Sequence, residues 1–425
     1  MIGLRQRLSS ARAELFLYVT TAVANALAFG YQFVMARLLR PDEFALLTQL
    51  FGVLVIEAIS TQVIQAATAK LAAQYRARED DAALHVFVRR WLRRIVLLAV
   101  PPSVIVAVLA VPLSGAIGVP ALAASLLGVT LGLAGLLTFT LGLLQGLRRF
   151  YWLGTDLIAQ SFTRLLAGSI LVLLGTGVNG AFVGATLALL VGAVVSFIPL
   201  RGLLRAARGA VHEAALAGQE TRFFLTAAVV LLAYAGLINA DAVLAPLLLG
   251  TVEAGAYAGA VTVAKVILFA PIAVGFILLE ATARQHERGA DTDRALFLAL
   301  GFVLVTSGAV ALAYLVAPAF FVGLVVGAQY PLAARLVPLY AVAALSNALL
   351  NIWIAYFVGR GRTSIGSILA IGLVIEVALL AFFGRDAESM VRIVTAVALG
   401  MQLVAIGTFV AGRLAPAESG TARPS

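Results

Sequence analysis

The chain has 425 residues, 62% of them hydrophobic and only 12% charged, with a net charge of +10 and a mean hydropathy of +1.04. A water-soluble domain of this length has no interior large enough for so much apolar surface, so a globular soluble fold is excluded and lipid must cover it. The absence of Cys excludes disulfides and thiolate metal sites, and His85, His212 and His286 are too scattered for a metal cluster.

Twelve apolar stretches divide the sequence, near 13–38, 44–69, 93–113, 120–146, 151–174, 178–200, 222–249, 254–280, 295–317, 331–358, 364–383 and 389–412. Each has roughly the twenty residues that a helix needs to cross the hydrocarbon. Arg5, Arg7 and Arg12 precede the first stretch, but its apolar run continues to Leu39, well beyond a signal-peptide core, so it reads as an uncleaved span. Within it Tyr18, Asn25 and Gln32 lie on one side. Glu57, Thr61 and Gln65 form one polar face of the second span. Residues 70–93 read as a helical extension of that span, and Arg89, Arg90, Arg93 and Arg94 are expected to anchor it at the membrane surface.

Further along, Asp156, Gln160 and Arg164 make a polar stripe on the fifth span. The segment from Gly175 to Gly180 spells a dinucleotide-binding fingerprint, but it falls in a turn between spans and lacks the strand that such a motif requires. Asn239 and Asp241 lie in the seventh span, Lys265 in the eighth, Arg335 at the edge of the tenth, Asn347 and Asn351 inside the tenth and Glu376 in the eleventh. The small-residue pairs Gly142/Gly146, Gly180/Gly184, Gly255/Gly259 and Gly323/Gly327 are expected to pack helices, and Pro101, Pro102, Pro271 and Pro338 to kink them.

Basic residues orient the chain. The N-terminal tail, the even-numbered connections and the C-terminal tail hold 23 of the 30 Lys and Arg residues, whereas the opposite side holds only Arg37, Arg40, Arg385 and Arg392. Both termini are therefore expected in the cytoplasm of a bacterial inner-membrane protein, with anionic lipid headgroups rather than nucleic acid as the partner of the positive charge. The external connections are too short for an extramembrane catalytic domain, so no enzyme and no cofactor is expected.

The two halves look related. Ala36-Arg37-Leu38-Leu39 followed by Glu43 recurs as Ala245-Pro246-Leu247-Leu248 followed by Glu253, and Gly146-Leu147-Arg148 recurs near Gly359-Arg360-Gly361-Arg362. The implied organisation is a six-helix lobe at 1–200, a cytoplasmic linker at 201–221, a second six-helix lobe at 222–413 and a disordered tail at 414–425. An even number of spans per half relates the lobes by a pseudo-twofold along the membrane normal, around a central cavity.

A charge at mid-membrane costs about 3 kcal/mol, which makes buried ions candidates for function. Arg164 and Lys265, with Arg335 at a span end, would receive an anionic cargo, with Asn25, Gln32, Gln160 and Asn239 as polar contacts. Glu57, Asp241 and Glu376 are candidates for carrying coupling protons or sodium. Arg164 and Glu376 occupy matching places in the two halves, as Glu57 and Lys265 nearly do, which suggests opposite charges that meet when the lobes close. Fixed structural ion pairs account for the same residues equally well.

The segment Ala36-Arg37-Leu38-Leu39-Arg40-Pro41-Asp42-Glu43-Phe44-Ala45 resembles the first external turn of the polysaccharide transporter family of lipid-linked oligosaccharide flippases, within the superfamily that also holds multidrug and toxin extruders. Ala45 stands where that family usually has Gly, and Leu47 where an aromatic is common. Leu324-Val325-Val326-Gly327-Ala328-Gln329-Tyr330 is similar to the family's external turn before the tenth span. The resemblance implies a V-shaped pair of lobes that opens alternately to each side and flips an undecaprenyl-pyrophosphate-linked oligosaccharide outward for polysaccharide export. It also implies polysaccharide polymerase or export proteins as partners. A cation-coupled multidrug extruder of the same fold is the rival reading, with Asp241 or Glu57 as its coupling carboxylate.

Overall fold

The computed structural model of the protein describes residues 2–205, 229–268, 292–362 and 364–414, together with 271, 274, 275, 278 and 282. Most of the expected linker at 201–221 and nearly all of the expected tail at 414–425 lie outside the described residues. Among the described residues there is no strand.

Six helices build the first lobe: α1 (Ile2–Leu38), α2 (Pro41–Ala77), α3 (Asp81–Ile117), α4 (Ala121–Gly146), α5 (Phe150–Leu171) and α6 (Gly177–Arg205). Their ends follow from local chemistry. Pro41 opens α2 where a missing N–H costs nothing, and Asp42 and Glu43 complement its dipole in the first turn. Asp80 caps α3 by accepting from Ala83 N at 2.9 Å, and Gly118 closes that helix at φ +67°. The apolar run from Phe150 to Leu203 is two spans, not one. A π turn at Val172–Thr176 ends α5, and Gly175 at φ +85° and Gly177 at φ +55° reverse the chain in conformations that only glycine adopts without strain.

The second lobe contains α7 (Val229–Leu237), α8 (Ala240–Leu248), α9 (Thr251–Ala264) with a 3₁₀ turn at Lys265–Leu268, α10 (Asp293–Val316), α11 (Pro318–Val325), α12 (Ala333–Gly359), α13 (Ile365–Phe383) and α14 (Ala387–Leu414). The short α11 lies between spans, and α7 with α8 makes one span bent by 44°. The seventh span is therefore broken where the sequence reads as continuous. Asn239 causes the break: its Nδ2 donates to Ala235 O at 2.8 Å, and its backbone leaves the helical region at φ −140°.

Counting the bent pair once and separating α5 from α6 gives twelve spans among the described residues, six per lobe. The halves repeat in the structure as well. α2 and α9 start at Pro41 and Thr251, α3 and α10 at Asp81 and Asp293, α4 and α12 at Ala121 and Ala333, and α6 and α14 at Gly177 and Ala387. Packing repeats with them. Thr130 and Thr140 of α4 bond to Thr186 and Ser196 of α6 at 2.8 and 2.9 Å, while Ser346 of α12 donates to Ala398 O of α14 at 2.9 Å.

Close helix approaches use the expected small residues in three of four cases. Gly142 and Gly146 of α4 leave room for Gln65, Thr68, Ala69 and Ala72 of α2; Gly184 faces Gly168; and Gly255 faces Pro41. The pair Gly323/Gly327 packs no helix: Gly323 meets nothing within 4 Å, and Gly327 turns the chain at φ +102°. Apolar side chains cover the outer surface, where Leu98, Val108, Phe382 and Leu403 are 63–75% exposed, as expected of a lipid-facing belt. At the α2–α3 turn the lobe extends beyond the span, and Tyr75, Leu84, Phe87, Phe139 and Leu144 pack a separate small core there.

Candidate functional site

The intramembrane polar residues gather in two clusters, one per lobe. In the first lobe α2 supplies Glu57 and Phe51, α5 supplies Gln160, Ser161 and Arg164, and α4 and α6 supply small and aliphatic walls. Together they line an open-sided cavity of about 220 Å³. The Arg164 guanidinium lies 5.3 Å from the Tyr31 ring centroid and 5.7 Å from that of Phe51. Its Nε is buried without a hydrogen-bond partner among the described residues. Tyr31 is held in place because its hydroxyl donates to Ala181 O at 2.8 Å. The aromatic faces thus stabilise the cation without neutralising it, and the guanidinium retains donors for an anion.

Asp156 forms the floor of the stripe. It is fully buried, accepts a hydrogen bond from Gln160 Nε2 through one oxygen and has no partner for the other. Gln160 is fixed in turn by Gly192, where a Cβ would meet its Cγ at 2.6 Å. Asp156 belongs with the site residues, and its signal was the four-residue spacing that it shares with Gln160 and Arg164.

In the second lobe the break between α7 and α8 and the 3₁₀ turn after α9 bring Asn239, Asp241 and Lys265 together. Lys265 Nζ donates to Asn239 Oδ1 at 2.6 Å and lies within electrostatic reach of Asp241. Asp241 is fully buried; its Oδ2 accepts from Tyr257 at 2.7 Å and from Tyr340 at 2.5 Å, and its Oδ1 has no partner. Glu376 of α13, only 1% exposed, joins the same electrostatic group, and its Oε1 is also unpartnered. Tyr257 and Tyr340, whose rings meet edge to face 5.8 Å apart, carry no sequence signal, because each looks like an ordinary buried aromatic until the fold places Asp241 between them.

Four expectations need adjustment. Lys265, expected to receive an anionic cargo, donates to Asn239 and lies within electrostatic reach of Asp241. Arg335 stands exposed at the start of α12 and lines neither cluster, because the span begins just before it and directs it outward. Asn25 is exposed and Gln32 half-buried on the open side of α1, and neither side chain makes a hydrogen bond among the described residues. Arg164 and Glu376 are separate in this conformation: the first faces Tyr31 and Phe51, the second Asp241 and the tyrosines. Glu57 and Lys265 likewise belong to different clusters.

The lobes meet at one end. Among the described residues, every hydrogen bond between them involves residues 36–49 of the first lobe and 243 or 323–330 of the second. Two six-helix lobes, each carrying a polar cluster, thus share their hydrogen bonds near the α1–α2 turn among the described residues.

Solved structures share this fold. The chain is similar to an inward-facing multidrug resistance MATE family transporter of the MOP superfamily, with a TM-score of 0.71 at 14% identity over 95% of this chain and 100% of the other. It is similar to the lipid II flippase MurJ in an inward closed conformation, with a TM-score of 0.68 at 11% identity over 93% and 87%. An outward-facing MATE structure gives 0.63 at 16% identity over 95% of each chain. No protein-family model and no curated protein sequence matches. The fold is thus the V-shaped, twelve-helix, two-lobed fold common to the multidrug extruders and the lipid II flippase.

Proposed function

We propose that the protein is a flippase for a polyprenyl-pyrophosphate-linked oligosaccharide, moving it from the cytoplasmic to the external leaflet of a bacterial inner membrane by alternating access. The observation that carries this reading is the buried, unpartnered Nε of Arg164 beside a cavity of about 220 Å³. A guanidinium held in a low-dielectric cavity by aromatic faces seeks a phosphate-like acceptor. The sequence resemblance to the polysaccharide transporter family supports the same cargo. Asp241 and Glu376 are the coupling carboxylates in this reading, since two buried acids with free oxygens gain most from a proton or sodium ion. Polysaccharide polymerase or export proteins would take up the product.

A second reading, cation-coupled export of lipophilic drugs, is favoured by one observation: the second-lobe cluster gathers Tyr257, Tyr340, Glu376 and Lys265 about the buried carboxylate of Asp241. Reconstitution in liposomes with an imposed proton or sodium gradient separates the two. Transbilayer movement of a fluorescent polyprenyl-pyrophosphate oligosaccharide, without movement of a lipophilic cationic dye, is expected of the flippase. Movement of the dye alone would assign the protein to the extruders.

A further inference from the structure

We infer that the Ala36–Ala45 and Leu324–Tyr330 segments form a two-way latch in which each lobe caps a helix C-terminus of the other, and that this latch is the gate at that end. Arg37, at the end of α1, donates through Nη1 to Val325 O at 2.7 Å and through Nη2 to Leu324 O at 2.7 Å and Gly323 O at 3.2 Å. These are carbonyls of the last turn of α11, which have no partner inside their own helix, and a guanidinium also complements the negative end of the helix dipole. The reverse contact is equally specific. Gln329 donates to Ala36 O and, at 3.3 Å, to Leu39 O, and Tyr330 Oη donates to Ala36 O at 2.9 Å. Those carbonyls belong to the last turn of α1 and the residue after it.

The latch is preorganised on both sides. Arg37 stacks 3.6 Å from the Phe33 ring centroid, Gly327 at φ +102° turns the donor loop, and Tyr330 packs against Phe44 with ring centroids 5.8 Å apart. Beneath it the helices touch where only glycine fits: a Cβ on Gly255 would meet Pro41 Cβ at 2.6 Å, and one on Gly52 would meet Val243 Cγ2 at 2.9 Å. Gln49 Nε2 donates to Val243 O at 2.9 Å in the same seam. Arg37 and Gln329 are exposed, so water can replace their hydrogen bonds when the lobes part. A seam with no ion pair among the described residues, held by several individually weak caps, suits a contact that must open and reclose in each cycle.

This inference rests on the transporter reading, but its test reads the gate and not transport. The chain has no Cys, so Val243→Cys places one thiol in the seam. In right-side-out vesicles a charged, membrane-impermeant methanethiosulfonate applied from the Arg37 face should label Val243→Cys slowly. Adding Arg37→Ala, or separately Gln329→Ala, should raise the labelling rate on the order of ten-fold as the open population rises, while Arg385→Ala, on the same face but outside the latch, should leave it unchanged. Tyr330→Phe removes one donor with little change of shape and serves where Arg37→Ala does not fold. Unchanged labelling in both Gln329→Ala and Tyr330→Phe would overturn the latch. Increased labelling without glycolipid movement would retain the latch and reject the flippase.

Discussion

At the residue scale, both clusters hold buried polar atoms that have no hydrogen-bond partner among the described residues. Removing a donor from a buried carboxylate costs about 1–3 kcal/mol, because the remaining charge keeps its desolvation penalty. Tyr340→Phe and Tyr257→Phe should therefore each lower the melting temperature of the purified protein, and the double variant should fall short of the sum, since both donors serve Asp241 Oδ2. Glu376→Gln should leave the fold intact but uncouple transport from an imposed ion gradient, which a comparison of gradient-driven and exchange rates would reveal. Most of these residues were legible as charges out of place: Glu57, Asp241, Lys265 and Glu376 stand out in apolar runs because lipid tolerates them poorly. Their grouping was not, because Asp241 meets Tyr340 across 99 residues of chain and Glu376 arrives from another helix.

At the element scale, the spans were legible because twenty-residue apolar runs separated by alternately basic connections are what a bundle of membrane-crossing helices requires. The break at Asn239 was missed because one polar residue in a long apolar run does not by itself end a helix. The break places the Asn239 side chain against Lys265, whose Nζ donates to its Oδ1 at 2.6 Å. Asn239→Ala should thus weaken both the bend and the lysine's anchorage and reduce transport more than stability. Gly146→Leu should be more severe for folding, because even a Cβ there would meet Ala72 Cβ at 2.8 Å and close the α2–α4 contact. At the start of α14, Asp386 Oδ1 accepts from Ser389 N at 2.7 Å, and hydrogen bonds from Ser389 hold its carboxyl below the usual range. A depressed folded-state value means that the cap stabilises above the unfolded value and is lost as pH falls through the folded one. Asp386→Ala should cost about 1 kcal/mol near neutrality, and a melting series into acid should show the variant and parent converging.

At the scale of the whole molecule, duplication supplies the logic. Equivalent helices place Glu57, Asp156 and Arg164 in one lobe and Asp241, Lys265 and Glu376 in the other, one cation and two acids each, but the surroundings differ: the Arg164 guanidinium lies against aromatic faces, whereas Lys265 donates to Asn239 beside Asp241. The sequence pattern indicated two lobes because offsets near half the chain length recur, whereas which face of each helix looks inward depends on packing that no single helix encodes. The hydrogen bonds between lobes lie at the α1–α2 turn. The most direct measurement compares the initial rate of polyprenyl-pyrophosphate oligosaccharide transfer across liposome membranes for the parent protein and Arg164→Ala at equal protein content. Gradient-dependent transfer by the parent is predicted, with a rate lower by on the order of ten-fold or more in the variant, as expected for loss of a charge-assisted contact. Equal rates, or no transfer by the parent while a cationic dye is moved, would contradict the assignment of Arg164 to an anionic headgroup.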